Sequence, residues 1–252
     1  MKKAAARRSK ILEILDDLNK VNVSDLSEEL GVSEVTIRND LDKLEQSKLL
    51  VRAHGGAFRT SNVSLAVSEK KSINRDLKRL IGKKAVSLIQ ENDSIILDSG
   101  TTTFEISNNL GGFKEITVIS NALDIVNNLA QFDNLKVYMP GGHLMEFSMS
   151  LVGPMAERNL KQLYCNKLFL GVDGIRSNVG FFTHHMEEAY LNKIMIEIED
   201  EVIVVADSTK FRKTGLAFIQ NFEHIDKVIT DEGIEKQDIE MLQKNNVEVI
   251  IA

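Results

Sequence analysis

The run Asp98-Ser99-Gly100-Thr101-Thr102-Thr103 ends an apolar stretch and opens a helical one at Phe104. Backbone N–H groups, hydroxyls and the positive end of a helix then meet at one point, which is how a phosphate is held. Gly100 permits close approach, although Ser and Thr at such a place also serve as ordinary helix caps. Four further polar clusters follow apolar runs: Ser120-Asn121, Pro140-Gly141-Gly142, Asp173-Gly174 and Asp207-Ser208-Thr209-Lys210. Lys210 can add a point charge to the same phosphate, while Asp98, Asp173 and Asp207 offer acceptors for sugar hydroxyls. Asp98, Asp173 and Lys210 are also groups with which an isomerase could do acid–base work. A second constellation lies near the N-terminus, where Ser33, Glu34, Thr36, Arg38, Asn39 and Lys43 share a short polar run with Arg52 and His54 downstream. Arg38 can pair bidentately with guanine and Asn39 with adenine, or either can bind phosphate.

The elements that must carry these groups follow from hydrophobic period. Ile11, Ile14, Leu15 and Leu18 recur at helical spacing, so residues 9–19 read as an amphipathic helix. Ser24 is placed to cap a short helix over Asp25 to Leu30, Gly31 supplies a tight turn, and Ser33 caps a third helix whose Val35 or Ile37, Leu41 and Leu44 point inward. Short helix, turn and polar-faced second helix is the helix-turn-helix arrangement, in which the second helix enters the major groove. Leu49 to Phe58, around Gly55-Gly56, predicts a small hairpin, the wing of a winged helix, with Arg52 and His54 on it near DNA. Such a module also serves elsewhere as a protein-docking unit.

Thr60 to Ser68 is polar and without period, and is read as a linker; Lys70 to Gln90 is expected as one helix with a solvated basic face that includes Lys78. Beyond it, seven β-prone runs alternate with helical ones: Ser94–Leu97, Ile116–Ile119, Leu135–Met139, Lys167–Val172, Glu201–Ala206, Lys227–Ile229 and Val247–Ile251. Continuous Val/Ile/Leu runs suit strands buried on both faces, so a mostly parallel α/β sheet is expected, with ligands at the carboxyl ends of its strands. The domain expectation is 1–60 for the DNA-binding module, 61–75 for the linker and start of a connecting helix, and 76–252 for the α/β domain.

Charge supports the division. The net charge of the whole is −6, but residues 1–60 hold 11 Lys/Arg against 10 Asp/Glu, while 61–252 hold 20 against 27. Lys2, Lys3, Arg7, Arg8 and Lys10 precede any acid and could neutralise phosphates. At 43% hydrophobic and 27% charged, the composition argues against disorder and low complexity. The longest apolar run, Val202 to Ala206, is far short of a membrane span, and acids interrupt the N-terminal stretch a secretory signal would need, so a cytoplasmic protein is expected. One cysteine, Cys165, excludes a disulfide framework and a cysteine-based zinc site. His184 and His185 are adjacent and cannot both face one metal from a strand. The chain lacks both Gly-x-Gly-x-x-Gly after the first strand and a phosphate-loop motif of nucleoside triphosphatases, so neither a metal nor a cofactor is expected.

Val32-Ser33-Glu34-Val35-Thr36-Ile37-Arg38-Asn39-Asp40-Leu41 followed by Arg52-Ala53-His54-Gly55-Gly56-Ala57 resembles the DNA-binding signature of the DeoR family of bacterial transcriptional regulators. Two positions depart from the family pattern: Asn39 stands where a second Arg is usual, and Ser47 where a Gly precedes the wing. The resemblance continues through Ile96 to Thr103, Pro140-Gly141-Gly142, Phe169 to Gly174, Ala206 to Phe211 and Ile229-Thr230-Asp231. It implies a sensor domain akin to ribose-5-phosphate isomerase, used to sense a phosphorylated sugar. Its phosphate loop falls on Ser99 to Thr103 and its sugar-facing positions on Asp173 and Lys210, with Asn121, Gly141 and Gly142 at neighbouring strand ends. Ile119 to Ala122, Ser150 to Pro154 and Glu187-Glu188-Ala189 are similar to the branch associated with amino-sugar catabolism. The function so implied is a repressor that binds double-stranded operator DNA as a homo-oligomer, dimer or tetramer, and leaves it when a sugar phosphate binds. The alternative is an isomerase-like enzyme with a DNA-binding appendage.

Overall fold

Apolar side chains from three helices and a small sheet close the core of the N-terminal unit. The computed structural model describes residues 2–18, 20–46, 49–53, 55–58 and 67–252; His54, Ser47 and residues 60–66 of the expected linker lie outside the described residues. Two compact units result, Met1–Ile73 and Asn74–Ala252. In the first, α1 (Lys2–Leu18), β1 (Lys20–Asn22), α2 (Val23–Glu29), α3 (Glu34–Gln46), β2 (Val51–Ala53), β3 (Gly56–Phe58) and the single turn α4 (Val67–Lys70) follow in order. Ile11 and Leu15 of α1, Leu26 of α2, and Ile37, Leu41 and Leu44 of α3 meet over Val21 and Ala57, which faces it across the sheet.

The first unit differs from expectation in three places. Helix α1 begins at Lys2 rather than Ser9. The residue before α2 is Asn22, and Ser24 lies inside the helix, its hydroxyl donating to Asp25 Oδ1 at 3.1 Å. The wing has a third strand not expected from the sequence: Val21 sits in β1, antiparallel to β3 in the order β1-β3-β2. Gly31 takes φ 62° in the turn between α2 and α3, a conformation costly for residues with a Cβ.

Arg7, read from sequence as part of an exposed basic cluster, instead reaches Asp40, its Nε 2.6 Å from Oδ2. Asp40 is buried on α3, and removing its partner leaves a carboxylate in the core without compensation. Arg7→Ala should therefore destabilise the winged helix by about 3 kcal/mol, read as a lower urea midpoint for that unit. Equal midpoints for Arg7→Ala and an Arg8→Ala control would show the pair to be dispensable.

The second unit begins with α5 (Arg75–Val86), β4 (Ser94–Leu97), α6 (Thr101–Ser107), β5 (Thr117–Ser120), α7 (Leu123–Leu129) and β6 (Lys136–Tyr138). It continues through β7 (His143–Met145), β8 (Ser150–Val152), α8 (Pro154–Leu160), β9 (Cys165–Gly171), β10 (Gly174–Arg176), β11 (Gly180–Thr183) and α9 (Met186–Glu197). The final elements are β12 (Glu199–Val205), β13 (Ala217–Gln220), β14 (Lys227–Thr230), α10 (Lys236–Lys244) and β15 (Glu248–Ile251). All seven strands expected from sequence join one sheet, ordered β15-β14-β12-β9-β4-β5-β6, in which every pairing is parallel. Alternate residues face opposite sides: Ile95, Leu97, Phe169, Ile203 and Val205 pack with α5, α6 and α7, whereas Ile96, Leu168, Leu170, Val202 and Val204 pack with α8, α9 and α10. This double covering is why the strands read as unbroken apolar runs.

The expected helix over Lys70 to Gln90 is broken. Residues 71–74 turn, Asn74 adopts the left-handed conformation at φ 51°, and α5 ends at Val86. Lys78 is 4% exposed, so the basic face is not wholly solvated. The hairpin β7–β8 and the antiparallel sheet β10-β11-β13 were not anticipated; these short strands lie outside the main sheet and lack the two-sided burial that marks its central strands.

At the amino end of the sheet Glu199 faces Cys165 in register. Burial, reinforced by Asp200, pushes the Glu199 carboxyl up to about 8, and burial pushes the Cys165 thiol up to about 12, as suits an inert core cysteine. Between about pH 4.5 and 8 the folded chain holds a proton at Glu199 that the unfolded chain releases, so this group lowers stability as pH rises through that window. Glu199→Gln should be near neutral at pH 4.5 and stabilising at pH 8.5 by a few kcal/mol, since each tenfold change in proton affinity is worth about 1.4 kcal/mol. A melting-temperature difference that does not grow between these two pH values would mean that Glu199 is already ionised in the folded protein.

Candidate functional site

The candidate recognition surface is α3. Ser33 Oγ accepts from the Thr36 N–H at 3.3 Å and pairs with the Thr36 hydroxyl at 2.9 Å, fixing the helix start as its sequence position suggested. With Ile37, Leu41 and Leu44 buried, Glu34, Val35, Arg38, Asn39 and Lys43 are exposed along the helix. The choice left open between Val35 and Ile37 falls to Ile37. Val35, 63% exposed, is an apolar group on the recognition helix, of the kind that can meet a thymine methyl. Arg38 Nη2 lies 2.6 Å from Glu34 Oε2 one turn earlier, so the guanidinium is held extended over the helix surface. Arg52 is turned toward α3 instead of standing out from the wing: its Nε is 3.6 Å from Asp42 Oδ1, and its backbone N–H donates to Glu45 Oε1 at 2.8 Å.

In the second unit the strand order reverses between β4 and β9, since β5 and β6 extend the sheet on one side and β12, β14 and β15 on the other. A crevice at the carboxyl ends of these two central strands is where open α/β sheets bind ligands. Asp98 and the Ser99 to Thr103 loop follow β4; Asp173 follows β9. A Cβ on Gly171 would lie 3.5 Å from Ser99 O and 3.7 Å from Asp98 Oδ2, so the two ends are in near contact.

Asp98 directly follows β4. It is buried, and its carboxyl is pushed up to about 8 by that burial and by Glu188, against hydrogen bonds from the Ser99 and Gly171 backbone and from the Asn192 side chain. It therefore anchors the loop rather than presenting a solvent-facing acceptor. Thr183 Oγ1 lies 3.2 Å from both Asp173 Oδ2 and Glu188 Oε2, and the His184 N–H reaches the same Asp173 oxygen at 3.3 Å. Thr103 Oγ1 donates to Gly100 O at 2.9 Å, which leaves Ser99, Thr101 and Thr102 as the loop's other hydroxyls.

The Asp207 to Lys210 turn follows β12. Asp207 is held below the usual carboxylate range despite its burial by Lys210, by Thr209, by the buried Lys78, and by Asn74, whose Nδ2 is 3.2 Å from Oδ1. Asp231 braces the turn, accepting from Ser208 N at 2.7 Å and Ser208 Oγ at 2.8 Å. Asn121 is buried, donating to Leu151 O at 3.3 Å, with its Oδ1 lacking a hydrogen-bond partner. Gly141 and Gly142 take φ 76° and 125°, and a Cβ on Gly142 would stand 2.5 Å from Val152 O, so this pair seats the β7–β8 hairpin.

Lys78, Glu188 and Asn192 were not among the residues singled out as site residues. Glu188 and Asn192 are four apart on the stripe of α9 that also buries Ala189, Leu191 and Met195, and polar residues inside an apolar stripe were the available signal. Among the described residues no cluster of three or more His, Cys, Asp or Glu could hold a metal ion, and no helix is long and apolar enough to cross a membrane.

A helix-turn-helix with an exposed polar face on its second helix, followed by a parallel α/β unit with polar loops at its switch point, defines a DNA-binding regulator with a sensor domain. The DeoR-like helix-turn-helix domain matches residues 7–63 and the DeoR C terminal sensor domain residues 73–232, and the chain belongs to the DeoR family. It is 42% identical over 249 residues to a putative aga operon transcriptional repressor of Escherichia coli O157:H7, covering 97% of this chain and 93% of that one. It is 33% identical to the lactose phosphotransferase system repressor of Lactococcus lactis subsp. lactis, over 93% of each chain. Ribose 5 phosphate isomerase A from Neisseria gonorrhoeae aligns with 56% of this chain and 55% of that one at 20% identity and a TM-score of 0.41, too distant to bear on activity. The family is one of DNA-binding transcriptional regulators, a non-enzymatic role.

Proposed function

We propose that this chain is the repressor of a sugar-catabolism operon, and that a phosphorylated sugar bound at the carboxyl ends of β4, β9 and β12 releases it from its operator. The observation that carries this reading is the reversal of strand order at β4 and β9, whose adjacent carboxyl ends are followed by the Ser99 to Thr103 loop and by Asp173. Ser99, Thr101, Thr102 and Lys210 hold the phosphate; Asp173 takes a sugar hydroxyl; Asp98 and Asn121 brace the loops from within. The α3 residues Ser33, Glu34, Thr36, Arg38, Asn39 and Lys43 meet the DNA. One recognition helix reads too few base pairs for a unique address, so the protein acts as a homo-oligomer on repeated half-sites. The names of the two repressors above, each tied to a sugar operon or sugar uptake system, agree with this.

The test is a thermal-shift screen of pentose, hexose and hexosamine phosphates, followed by operator binding in the presence of any that stabilise. A ligand at about 100 times its dissociation constant should add roughly 2.7 kcal/mol to the sensor unit. Stabilisation by sugar phosphates with no change in operator affinity would overturn the reading, as would full response to the unphosphorylated sugar.

A further inference from the structure

Helix α9 carries a stripe that nothing in its own unit covers. Met186 and Tyr190 are exposed one turn apart, and Lys193 on the next turn reaches over the ring of Phe218, 5.5 Å from its centroid. Leu216, just before β13, and Phe218 on it are exposed while Ala217 and Ile219 are buried, and Phe218 meets Phe182 edge to face at 5.7 Å. At the other end of the stripe Phe147 stacks on His185, the residue preceding α9, at 5.9 Å. These contacts join the hairpin, the helix and the small sheet into one apolar face. Its five large side chains are 39 to 73% exposed, which at ~200 Å² per side chain leaves roughly 500 Å² of apolar surface in water. That is the size of the largest apolar patch on a typical monomer, and such patches are often functional.

We infer that this face is where two copies of the chain pair, by antiparallel packing of α9 about a two-fold axis at Tyr190. The inference rests on the proposed action as a homo-oligomer and names its surface. Area is one argument. A standard interface buries about 800 Å² per partner, about 65% of it apolar in homodimers, which is close to what the face offers. Charge is the second. Glu187 and Lys193 lie three residues to either side of Tyr190 on the same helix. An antiparallel pair centred on Tyr190 therefore sets Glu187 near Lys193 of the partner subunit, and does so twice by symmetry.

Sedimentation velocity of the full chain tests this. Wild type should sediment as a dimer or a multiple of one at micromolar concentration, and Tyr190→Glu, at an exposed position, should raise the dimer dissociation constant at least 100-fold with an unchanged circular dichroism spectrum. Lys193→Glu should raise it about 10-fold, and adding Glu187→Lys should restore most of the loss. The swap separates a lost contact from a damaged fold. A wild type that is monomeric throughout would sink the homo-oligomer reading and this one together. A wild-type oligomer left intact by Tyr190→Glu, or a charge swap without rescue, would overturn this surface alone.

Discussion

Arg38→Ala should weaken operator binding by roughly 1–3 kcal/mol, a loss of about 5- to 150-fold, and should flatten the preference at one base position. The guanidinium stands on the exposed face of α3, and Glu34 one turn earlier, at 2.6 Å, holds it away from the buried side of the helix. That arrangement removes part of the side-chain entropy that would otherwise be lost on docking. It also predicts a companion effect: Glu34→Gln leaves the guanidinium present but less constrained, and should weaken binding less than Arg38→Ala. A substitution at exposed Lys43, acting on phosphate, should instead weaken all sequences alike and reduce the salt dependence. The comparison needs operator variants at several salt concentrations. If Arg38→Ala lowers affinity for every variant equally, the residue binds backbone and the base-reading role lies elsewhere on α3.

The sequence disclosed the elements that belong to the regular alternation of strand and helix and concealed those that leave it. The central strands were legible because burial on both faces demands runs of Val, Ile and Leu, as in Ile95 to Leu97 and Val202 to Val205, whereas the more exposed edge strands β6 and β15 were legible from β-prone residues at their place in the strand–helix alternation. The recognition helix was legible because Ile37, Leu41 and Leu44 mark its inner face and Ser33 its start. Strand β1 was not, because three residues with one buried side chain, Val21, cannot set a period, and its pairing with β3 is non-local. The carboxyl-end loops could be located from composition, but the state of their side chains could not. Asp98 and Asp173 look alike in the sequence. One is buried with its carboxyl raised to about 8, while the other is partly exposed beside Thr183 and His184. What separates them is first the burial of Asp98 and then Glu188, ninety positions from Asp98 and brought to it by the packing of α9 on the sheet, with Asn192 working the other way as a hydrogen-bond donor. Lys78 misled for a related reason: in a helix rich in lysine, its burial shows only once Asp207 stands near it.

A Thr102→Val, Lys210→Ala double variant should bind the operator like wild type and fail to leave it at any effector concentration that releases wild type. Thr102 sits in the loop after β4 and Lys210 in the turn after β12, and neither belongs to the winged-helix unit, so the intrinsic affinity of α3 for DNA has no reason to change. A ligand shifts the equilibrium between DNA-bound and free protein only by its differential affinity for the two states. Removing a hydroxyl and a cation from the phosphate contacts reduces that affinity, because charge-assisted hydrogen bonds to an anion are among the strong ones. Lys210 has a second duty, however, since it helps hold the buried Asp207 ionised. Lys210→Ala alone could therefore loosen the turn, and Lys210→Arg is the control: it keeps the charge near Asp207 while altering the geometry offered to phosphate. Retained operator affinity, loss of release in the double variant and partial release in Lys210→Arg is the expected pattern. Full release of the double variant at wild-type effector concentrations would remove the phosphate from this crevice.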